Sequence, residues 1–165
     1  MKKIGIISDT HGFIDNKLKN FFKDVDFIFH AGDIGNVDII KELQEISKLV
    51  VVFGNIDNYI IRQITSEFTI IQIENIKILM THIGGYPGRY QSTLYNKIIN
   101  EKPNLVITGH SHILKIIHDK KLNHLHINTG AYGKNGFHKL RTAIRLIIDN
   151  DKLKDLEILE LDRNK

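Results

Sequence analysis

The sequence predicts an α/β fold in which two mixed β-sheets pack face to face and helices cover their outer surfaces, as a four-layer αββα sandwich. The first observation is that apolar runs alternate with helical periodicity through residue 53, which is typical of a parallel sheet covered on both faces. The second is that paired strands follow Asn55. We expect residues 1–165 to form a single domain, because a chain of this length with 42% hydrophobic residues can build one full core.

The first half of the chain alternates predicted strands with predicted helices. Asn36 is a suitable cap for the second helix, because its side chain can accept a hydrogen bond from a free backbone N–H. The strands are predicted at 3–7, 25–30 and 49–53, and the helices at 15–23 and 37–47. Apolar residues that recur at helical spacing are assigned to the core, among them Phe21, Phe22, Val37, Ile40 and Leu43.

The second half is predicted to consist mainly of β-hairpins with short polar turns. A glycine-rich loop at 84–89 leads into a third helix over 90–100, and Pro103 marks the break before a strand that begins at Leu105. Uneven alternation in the last strand indicates a β-bulge. The predicted hairpin strands are 68–73 with 76–80, 113–118 with 122–127, and 141–148 with 154–161.

Composition limits the classes of function. The net charge is +4 and the lysines are scattered, so no dedicated nucleic-acid-binding region is predicted. The chain has no cysteine, which leaves oxygen and nitrogen as metal donors. No apolar run approaches the roughly 20 residues that a membrane-spanning helix requires, and the N-terminus does not resemble a signal peptide. We therefore expect a soluble, cytoplasmic protein.

Five separate apolar runs end in side chains that can bind metal ions, and this recurrence distinguishes them from isolated short motifs. Together they offer three oxygen and four nitrogen donors, too many for one tetrahedral zinc and suited to two divalent ions that share a bridging carboxylate. Two such ions make hydroxide available at neutral pH and stabilise an in-line displacement at phosphorus. The pattern predicts metal-assisted phosphoester hydrolysis. The candidate ligands are Asp9, His11, Asp33, Asn55, His82, His110 and His112.

The remaining histidines lack this support. His30 ends a predicted strand, and the sequence leaves two roles open for it, a site residue or a hydrogen-bonded core residue. We assign His118, His124, His126 and His138 to surface or strand positions.

The ordered motifs Asp9-x-His11, Gly32-Asp33, Gly54-Asn55, His82 and Gly109-His110-Ser111-His112 resemble the calcineurin-like metallophosphoesterase superfamily, and the length resembles its small bacterial and archaeal phosphodiesterase branch. The resemblance implies the αββα sandwich and a nucleophilic hydroxide that bridges two metal ions. It also implies that Asp33 bridges. One ion would be held by Asp9, His11, Asp33 and His112, and the other by Asp33, Asn55, His82 and His110.

Two positions depart from the patterns of superfamily members. Those members carry a histidine after the Gly-Asn pair, thought to protonate the leaving group, where this chain has Ile56. Small members often close their site with Asn-Pro-Gly-Ser, which here is the stretch 128–131. Lys134 and His138 follow this stretch closely enough in the sequence to contact a substrate phosphate, but we favour surface positions for both. Asn55 is a further candidate substrate contact.

These expectations define the substrate, its alternatives and the cofactor. We expect a small phosphodiester, because a monoester carries a second negative charge and the sequence identifies few fixed cations near the site. The alternatives are a phosphomonoesterase of the same fold, or a non-catalytic protein-binding scaffold like the vesicle-trafficking subunit that shares the fold. Manganese is the expected metal, and iron, zinc or nickel also suit these donors. Whether the chain forms a homo-oligomer is left open.

Overall fold

The computed structural model describes all of residues 1–165 and contains twelve strands. The first five-stranded sheet combines the early strands with the last hairpin. Its members are β1 (Lys2–Ile7), β2 (Phe27–His30), β3 (Lys48–Val51), β11 (Leu140–Asp149) and β12 (Lys152–Asp162). Their order is β12-β11-β1-β2-β3. The first three strands run parallel, and β11 pairs antiparallel with both β1 and β12, so the sheet is mixed as predicted.

The second five-stranded sheet comes from the middle of the chain. Its members are β4 (Phe68–Ile73), β5 (Ile76–Thr81), β8 (Leu105–Thr108), β9 (Leu114–Asp119) and β10 (His124–Thr129). Their order is β4-β5-β8-β10-β9, in which β5, β8 and β10 are parallel and the two outer strands are antiparallel to their neighbours. A small separate hairpin is formed by β6 (Gly85–Tyr86) and β7 (Arg89–Tyr90).

Helices cover the outer faces of both sheets. They are α1 (Asn16–Phe22), α2 (Val37–Ile46), α3 (Tyr59–Ile64) and α4 (Ser92–Glu101). Phe22 and Leu43 pack on the first sheet, and Leu94 and Ile98 pack on the second. The main core of fifteen buried apolar residues contains side chains from both sheets and lies between them. The predicted αββα sandwich is therefore confirmed.

Part of the core prediction for the helices is wrong. Phe22, Ile40 and Leu43 are buried, and Phe21 is partly buried and packs against the same core, but Val37 is partly buried and does not belong to that set. Residues three apart advance about 300° around a helix of 3.6 residues per turn, so a three-residue spacing drifts off the buried face. In α2 the buried stripe is Ile39, Ile40 and Leu43.

The structure contains two short elements that the sequence analysis did not predict, helix α3 and the β6–β7 hairpin. Helix α3 was missed because its apolar Tyr59, Ile60 and Ile64 face solvent, which removes the usual pattern. The hairpin β6–β7 lies in the predicted glycine-rich loop. The predicted bulge in the last strand is confirmed, since the pairing register shifts opposite Arg145–Ile147 and Asp155 has a φ of 51°.

No helix has the length and apolar character needed to cross a membrane.

Candidate metal centre

The seven candidate ligands follow the carboxyl ends of β1, β2, β3, β5 and β8, which the two facing sheets bring together. Six of them form two groups whose possible donor atoms lie within 4.8 Å of one another. The seventh, Asn55, places its side-chain oxygen 3.1 Å from Nε2 of His82. The first group is Asp9, His11 and His112, and the second is Asp33, His82 and His110.

The Asp9 carboxylate is completely buried and is held through one of its two oxygens. Oδ2 accepts a hydrogen bond from the Ser8 hydroxyl and another, of 3.0 Å, from the backbone N–H of His110. Oδ1 has no hydrogen-bond partner although it is buried. The nearest ring nitrogen is Nε2 of His112 at 3.1 Å, and Nε2 of His82 is 3.9 Å away. An oriented carboxylate oxygen thus points into a cluster of imidazoles.

The Asp33 carboxylate belongs to the second group and also faces His11 of the first group. Its Oδ2 is 3.7 Å from Nε2 of His11, and its Oδ1 is 3.2 Å from Nε2 of His82. Oδ1 also accepts a hydrogen bond from the backbone N–H of Ile56 at 3.1 Å. Burial alone raises the pKa of Asp33, but the contacts with His82, Ile56 and His11 outweigh it and leave the pKa lowered. Asp33 is therefore ionised at neutral pH and faces both groups.

A hydrogen bond places a proton on Nδ1 of His82. Nδ1 lies 2.7 Å from the carbonyl oxygen of Ala31, which can only accept, so Nδ1 carries the proton. Nε2 faces the Asp33 carboxylate at 3.2 Å and the Asn55 oxygen at 3.1 Å, which both accept, so only a proton or a cation on Nε2 can bind them. Burial lowers the pKa of His82, but the contacts with Asp33 and Asp9 outweigh it and leave the pKa raised. The hydrogen bond from Nδ1 to the Ala31 carbonyl is of the type that orients histidine ligands at metal sites, where one ring nitrogen binds the metal and the other donates to an acceptor.

His112 is oriented in a similar way by His138. Nε2 of His138 lies 2.8 Å from the carbonyl oxygen of Gly133 and therefore donates to it. Nδ1 of His138 is left as an acceptor, and Nδ1 of His112 donates to it across 3.2 Å. Nε2 of His112 is thereby free to face Asp9. The assignment of His138 to the surface is wrong, since it is partly buried against a candidate ligand.

The backbone around the ligands is unusual. Five of the seven, Asp9, His11, Asp33, His110 and His112, have positive φ angles of 47–72°. Such angles are uncommon for residues other than glycine and cluster at functional sites.

Two glycines leave room for the ligand carboxylates. A Cβ at Gly54 would collide with Asp33 Oδ1, and a Cβ at Gly109 would collide with the Ser8 hydroxyl and crowd Asp9 Oδ2. The glycines that precede Asn55 and His110 therefore let these two loops approach the Asp33 and Asp9 carboxylates closely.

The donor set fits a divalent cation. Asp9 Oδ1 and Nε2 of His11 are buried without a hydrogen-bond partner, which is costly unless a proton or a cation lies between them and their neighbours. Nε2 of His82 and the Asn55 oxygen lie 3.1 Å apart, and both atoms can bind a metal ion. The arrangement of oxygen and imidazole donors without sulfur suits a borderline or hard divalent metal.

His30 is a hydrogen-bonded core residue. Its Nδ1 accepts from the N–H of Gly32 at 3.2 Å, and its Nε2 lies 2.9 Å from the Thr10 hydroxyl, which in turn donates to the carbonyl of Ile34. Burial lowers the pKa of His30 to about 4, so the ring is neutral at pH 7. Of the two roles left open by the sequence, the structure supports the structural one.

None of the remaining histidines, nor Lys134, forms a hydrogen bond or an ion pair with a candidate ligand. His118 is exposed on β9, and His124 and His126 are buried on β10, which confirms surface or strand positions for these three. Lys134 is exposed, with its ammonium group 4.7 Å from the centre of the Phe13 ring.

The end of β10 supports the loop that carries His110 and His112. The buried Asn128 side chain donates to the Gly109 carbonyl at 2.7 Å and to the Ser111 hydroxyl at 3.2 Å. The β6–β7 hairpin contacts the same loop through a hydrogen bond between the Tyr86 and Ser111 hydroxyls.

The sequence matches the calcineurin-like phosphoesterase superfamily domain over residues 1–151. The chain belongs to this superfamily. An archaeal relative from Methanothermobacter thermautotrophicus, named "Probable metallophosphoesterase", is 31% identical over 114 residues. The match covers 66% of this chain and 66% of that protein, so it spans just under two thirds of the relative's length. The family predicted from the five motifs is confirmed.

Solved structures share the calcineurin-like phosphoesterase fold. A conserved uncharacterized protein of Streptococcus pneumoniae, described as a predicted phosphoesterase, has a TM-score of 0.71 at 24% identity, covering 99% of this chain and 90% of that one. Vps29 of Entamoeba histolytica, solved in complex with Zn²⁺, has a TM-score of 0.75 at 18% identity, covering 98% and 99%. At these identities the likeness shows the fold alone.

Two clefts flank the ligand cluster of this superfamily member and share no lining residue. One, of about 210 Å³, is lined by Asn55 and His82 and also by Arg62. The other, of about 480 Å³, is lined by His110 and His112. One fixed cation that the sequence analysis did not identify, Arg62, lies in the same cleft as two candidate ligands. Arg62 belongs to α3, the helix that the sequence pattern did not reveal.

Proposed function

We propose that the chain is a metal-dependent phosphodiesterase whose two divalent ions are held by the seven residues at the strand ends. The position of Asp33 is the observation that carries this proposal. Its two carboxylate oxygens face different donor groups, Oδ2 toward His11 at 3.7 Å and Oδ1 toward His82 at 3.2 Å. A carboxylate placed between two groups of donors is what a pair of bridged metal ions requires.

The proposed ligand sets share this carboxylate. Manganese is the metal we expect, with iron, zinc and nickel as alternatives for the same donors. The first ion is assigned to Asp9, His11, Asp33 and His112, and the second to Asp33, Asn55, His82 and His110.

The chain's own residues prepare the site before a substrate arrives. Ser8 and the His110 N–H hold Asp9, the Ala31 carbonyl holds His82, and His138 holds His112. Divalent ions bound here would lower the pKa of a nearby water and offset the negative charge on the phosphoryl oxygens. Because the donors are already oriented, little rearrangement is needed when the ions bind.

The two clefts support a diester over a monoester. A diester carries two substituents on phosphorus, and one cleft lies beside Asn55 and His82 while the other lies beside His110 and His112. Each cleft can take one substituent. Arg62 is the observation that favours the alternative, a phosphomonoesterase, because a fixed cation also suits the second negative charge of a monoester.

No side chain stands out as an acid for the leaving group. Ile56, which follows the Gly-Asn pair, has a 45% exposed hydrocarbon side chain that cannot give a proton. His30 is buried with both ring nitrogens in hydrogen bonds. We therefore propose that esters with stable leaving groups, such as nitrophenolates, react fastest, since they depart without protonation.

Hydrolysis of bis(4-nitrophenyl) phosphate by the purified protein tests this function. We expect activity that is lost on treatment with a chelator and restored by Mn²⁺, and a higher kcat/KM than for 4-nitrophenyl phosphate. Faster cleavage of the monoester would support the phosphomonoesterase alternative. Absence of hydrolysis of both esters at every metal tested, in a protein that still binds metal, would support the non-catalytic scaffold.

A further inference from the structure

Arg62 is held rigidly beside the loop that carries Asn55. Its Nε donates to the carbonyl of Asp57 at 2.7 Å, and one terminal nitrogen donates to the carbonyls of Gly54 at 3.1 Å and Asn55 at 3.3 Å. One face of the guanidinium lies 4.5 Å from the centre of the Phe53 ring. Four contacts therefore fix the position of the positive charge, and little side-chain entropy remains to be lost when it binds a ligand.

The charge of Arg62 is not neutralised within the chain. Its partners are backbone carbonyls, which carry no net charge, and no carboxylate lies within 4.0 Å of its nitrogens, unlike those of Arg141 and Arg145. Its second terminal nitrogen, Nη1, makes no hydrogen bond in the structure. Two N–H donors of a pre-positioned cation thus remain free for a further partner.

The cleft that contains Arg62 adjoins the second proposed ion. The residues that line it include Asn55, His82 and Gln91, and its volume is about 210 Å³. A space of this size admits a small polar group, and the Gln91 amide can also donate to an anion. The carboxylate of Glu67 lines the cleft as well. The negative charge of Glu67 repels anions and therefore opposes the attraction that Arg62 exerts on them.

We propose that this cleft is a subsite for a second anionic group, a carboxylate or a phosphate, carried on one ester substituent of the substrate. The inference rests on the proposed function, since it places a substrate's phosphodiester at the metal centre. The free N–H groups on Nη1 of Arg62 can donate charge-assisted hydrogen bonds to an oxygen of a carboxylate or phosphate. The favoured substrates would then be phosphodiesters with an acidic substituent.

Binding by matched ligands tests the subsite without requiring turnover. The probes are methyl phosphodiesters with carboxymethyl, 2-carboxyethyl or 3-carboxypropyl substituents, each compared with its carboxylate methyl ester by calorimetry on the Mn²⁺-loaded protein. We expect at least one carboxylate to bind about tenfold more tightly than its ester, as is typical of a charge-assisted contact. The same chain lengths with a terminal phosphate distinguish the two anions.

Two variants separate the subsite from a structural effect. In Arg62→Gln the preference for the carboxylate should fall to less than about twofold, the size expected once the charged partner is gone. Glu67→Gln leaves every Arg62 contact in place and removes the opposing charge, so the preference should increase. Metal content is measured in both variants.

The outcomes distinguish this inference from the proposed function. No preference at any chain length, or a preference that Arg62→Gln leaves unchanged, would overturn the subsite, the latter because the carboxylate would then be bound by the metal. Failure of the same protein to hydrolyse bis(4-nitrophenyl) phosphate would overturn the proposed function, while the binding comparison would still decide the subsite.

Discussion

His138 accepts a hydrogen bond from His112 between their two Nδ1 atoms at 3.2 Å, and so determines which nitrogen of His112 faces Asp9. His138 can accept because its own proton is on Nε2, which donates to the Gly133 carbonyl. Burial lowers the pKa of His138, which favours the neutral ring that this arrangement needs. His138 therefore acts as a positioning residue for a proposed ligand.

Replacing His138 should weaken metal binding without removing a ligand. We expect His138→Ala to lower the affinity for Mn²⁺ by about 10–100-fold, the usual effect of losing a residue that orients a metal-bound histidine. Titration calorimetry of the metal-free protein measures this. His118→Ala is the matched control, because His118 is exposed on β9, and its affinity should equal that of the wild type. Equal affinity in both variants would contradict the role of His138.

Asp57 joins the loops that carry Asp33 and Asn55. Its carboxylate is 4% exposed and accepts backbone hydrogen bonds from Ile34 at 3.1 Å, Gly35 at 2.8 Å and Gly54 at 2.8 Å. The first two donors follow β2 and the third follows β3, so one side chain links two strand ends.

Asp57→Ala should be strongly destabilising, because it leaves three backbone N–H groups without this acceptor. We expect a loss of roughly 3 kcal/mol or more in the free energy of unfolding, given a cost of about 1–3 kcal/mol for each unsatisfied buried group. Urea denaturation measures it. Asp38→Ala removes an exposed carboxylate of α2 that binds only Lys41, and should cost less than about 0.5 kcal/mol. Similar midpoints for the two variants would show that the Asp57 contacts contribute little.

The absence of a leaving-group acid at Ile56 predicts a steep dependence of rate on the leaving group. Across aryl diesters of graded phenol pKa, log kcat/KM should fall sharply as the phenol becomes less acidic. Ile56→His should flatten this dependence and accelerate the least reactive esters, since a positioned acid contributes about 10²–10⁴-fold. A flat dependence in the wild type would mean that another group already protonates the leaving oxygen.

His126 should make the fold less stable in acid. It is fully buried on β10, and burial lowers its pKa from 6.5 to about 4. Between these values the unfolded chain binds a proton that the folded protein does not, so stability is full above pH 6.5 and falls as the pH drops toward 4. From pH 7 to 4 the wild type should lose about 3 kcal/mol more than His126→Gln. Equal losses in urea denaturation at the two pH values would contradict the assigned environment.

The sequence was sufficient to predict the layers and the meeting of the seven candidate ligands. Each ligand directly follows an apolar run, and parallel strands bring their carboxyl ends to a common edge, so a local pattern determined a long-range arrangement. The hairpin turn at Glu74-Asn75 was also predicted, because the residues that form the turn and the two strands are adjacent in the chain.

The supporting residues could not be predicted, because their roles depend on contacts between distant segments. His138 is 26 residues from His112, and only the return of the loop after β10 brings the rings together. Arg62 lies on a six-residue helix with exposed apolar side chains, which lacks the usual amphipathic signal. The spacing Asn55-x-Asp57 is visible in the sequence, and a carboxylate so close to a candidate ligand was the one local signal that could have drawn attention to Asp57.

The number of metal ions bound per chain tests the central claim most directly, because the proposed function depends on a shared Asp33. Elemental analysis after loading with Mn²⁺ and removal of excess metal should give two ions per chain in the wild type and well under two in Asp33→Ala, with loss of bis(4-nitrophenyl) phosphate hydrolysis. Asp38→Ala should retain both ions. Two ions and full activity in Asp33→Ala would contradict the bridged centre and the ligand assignment.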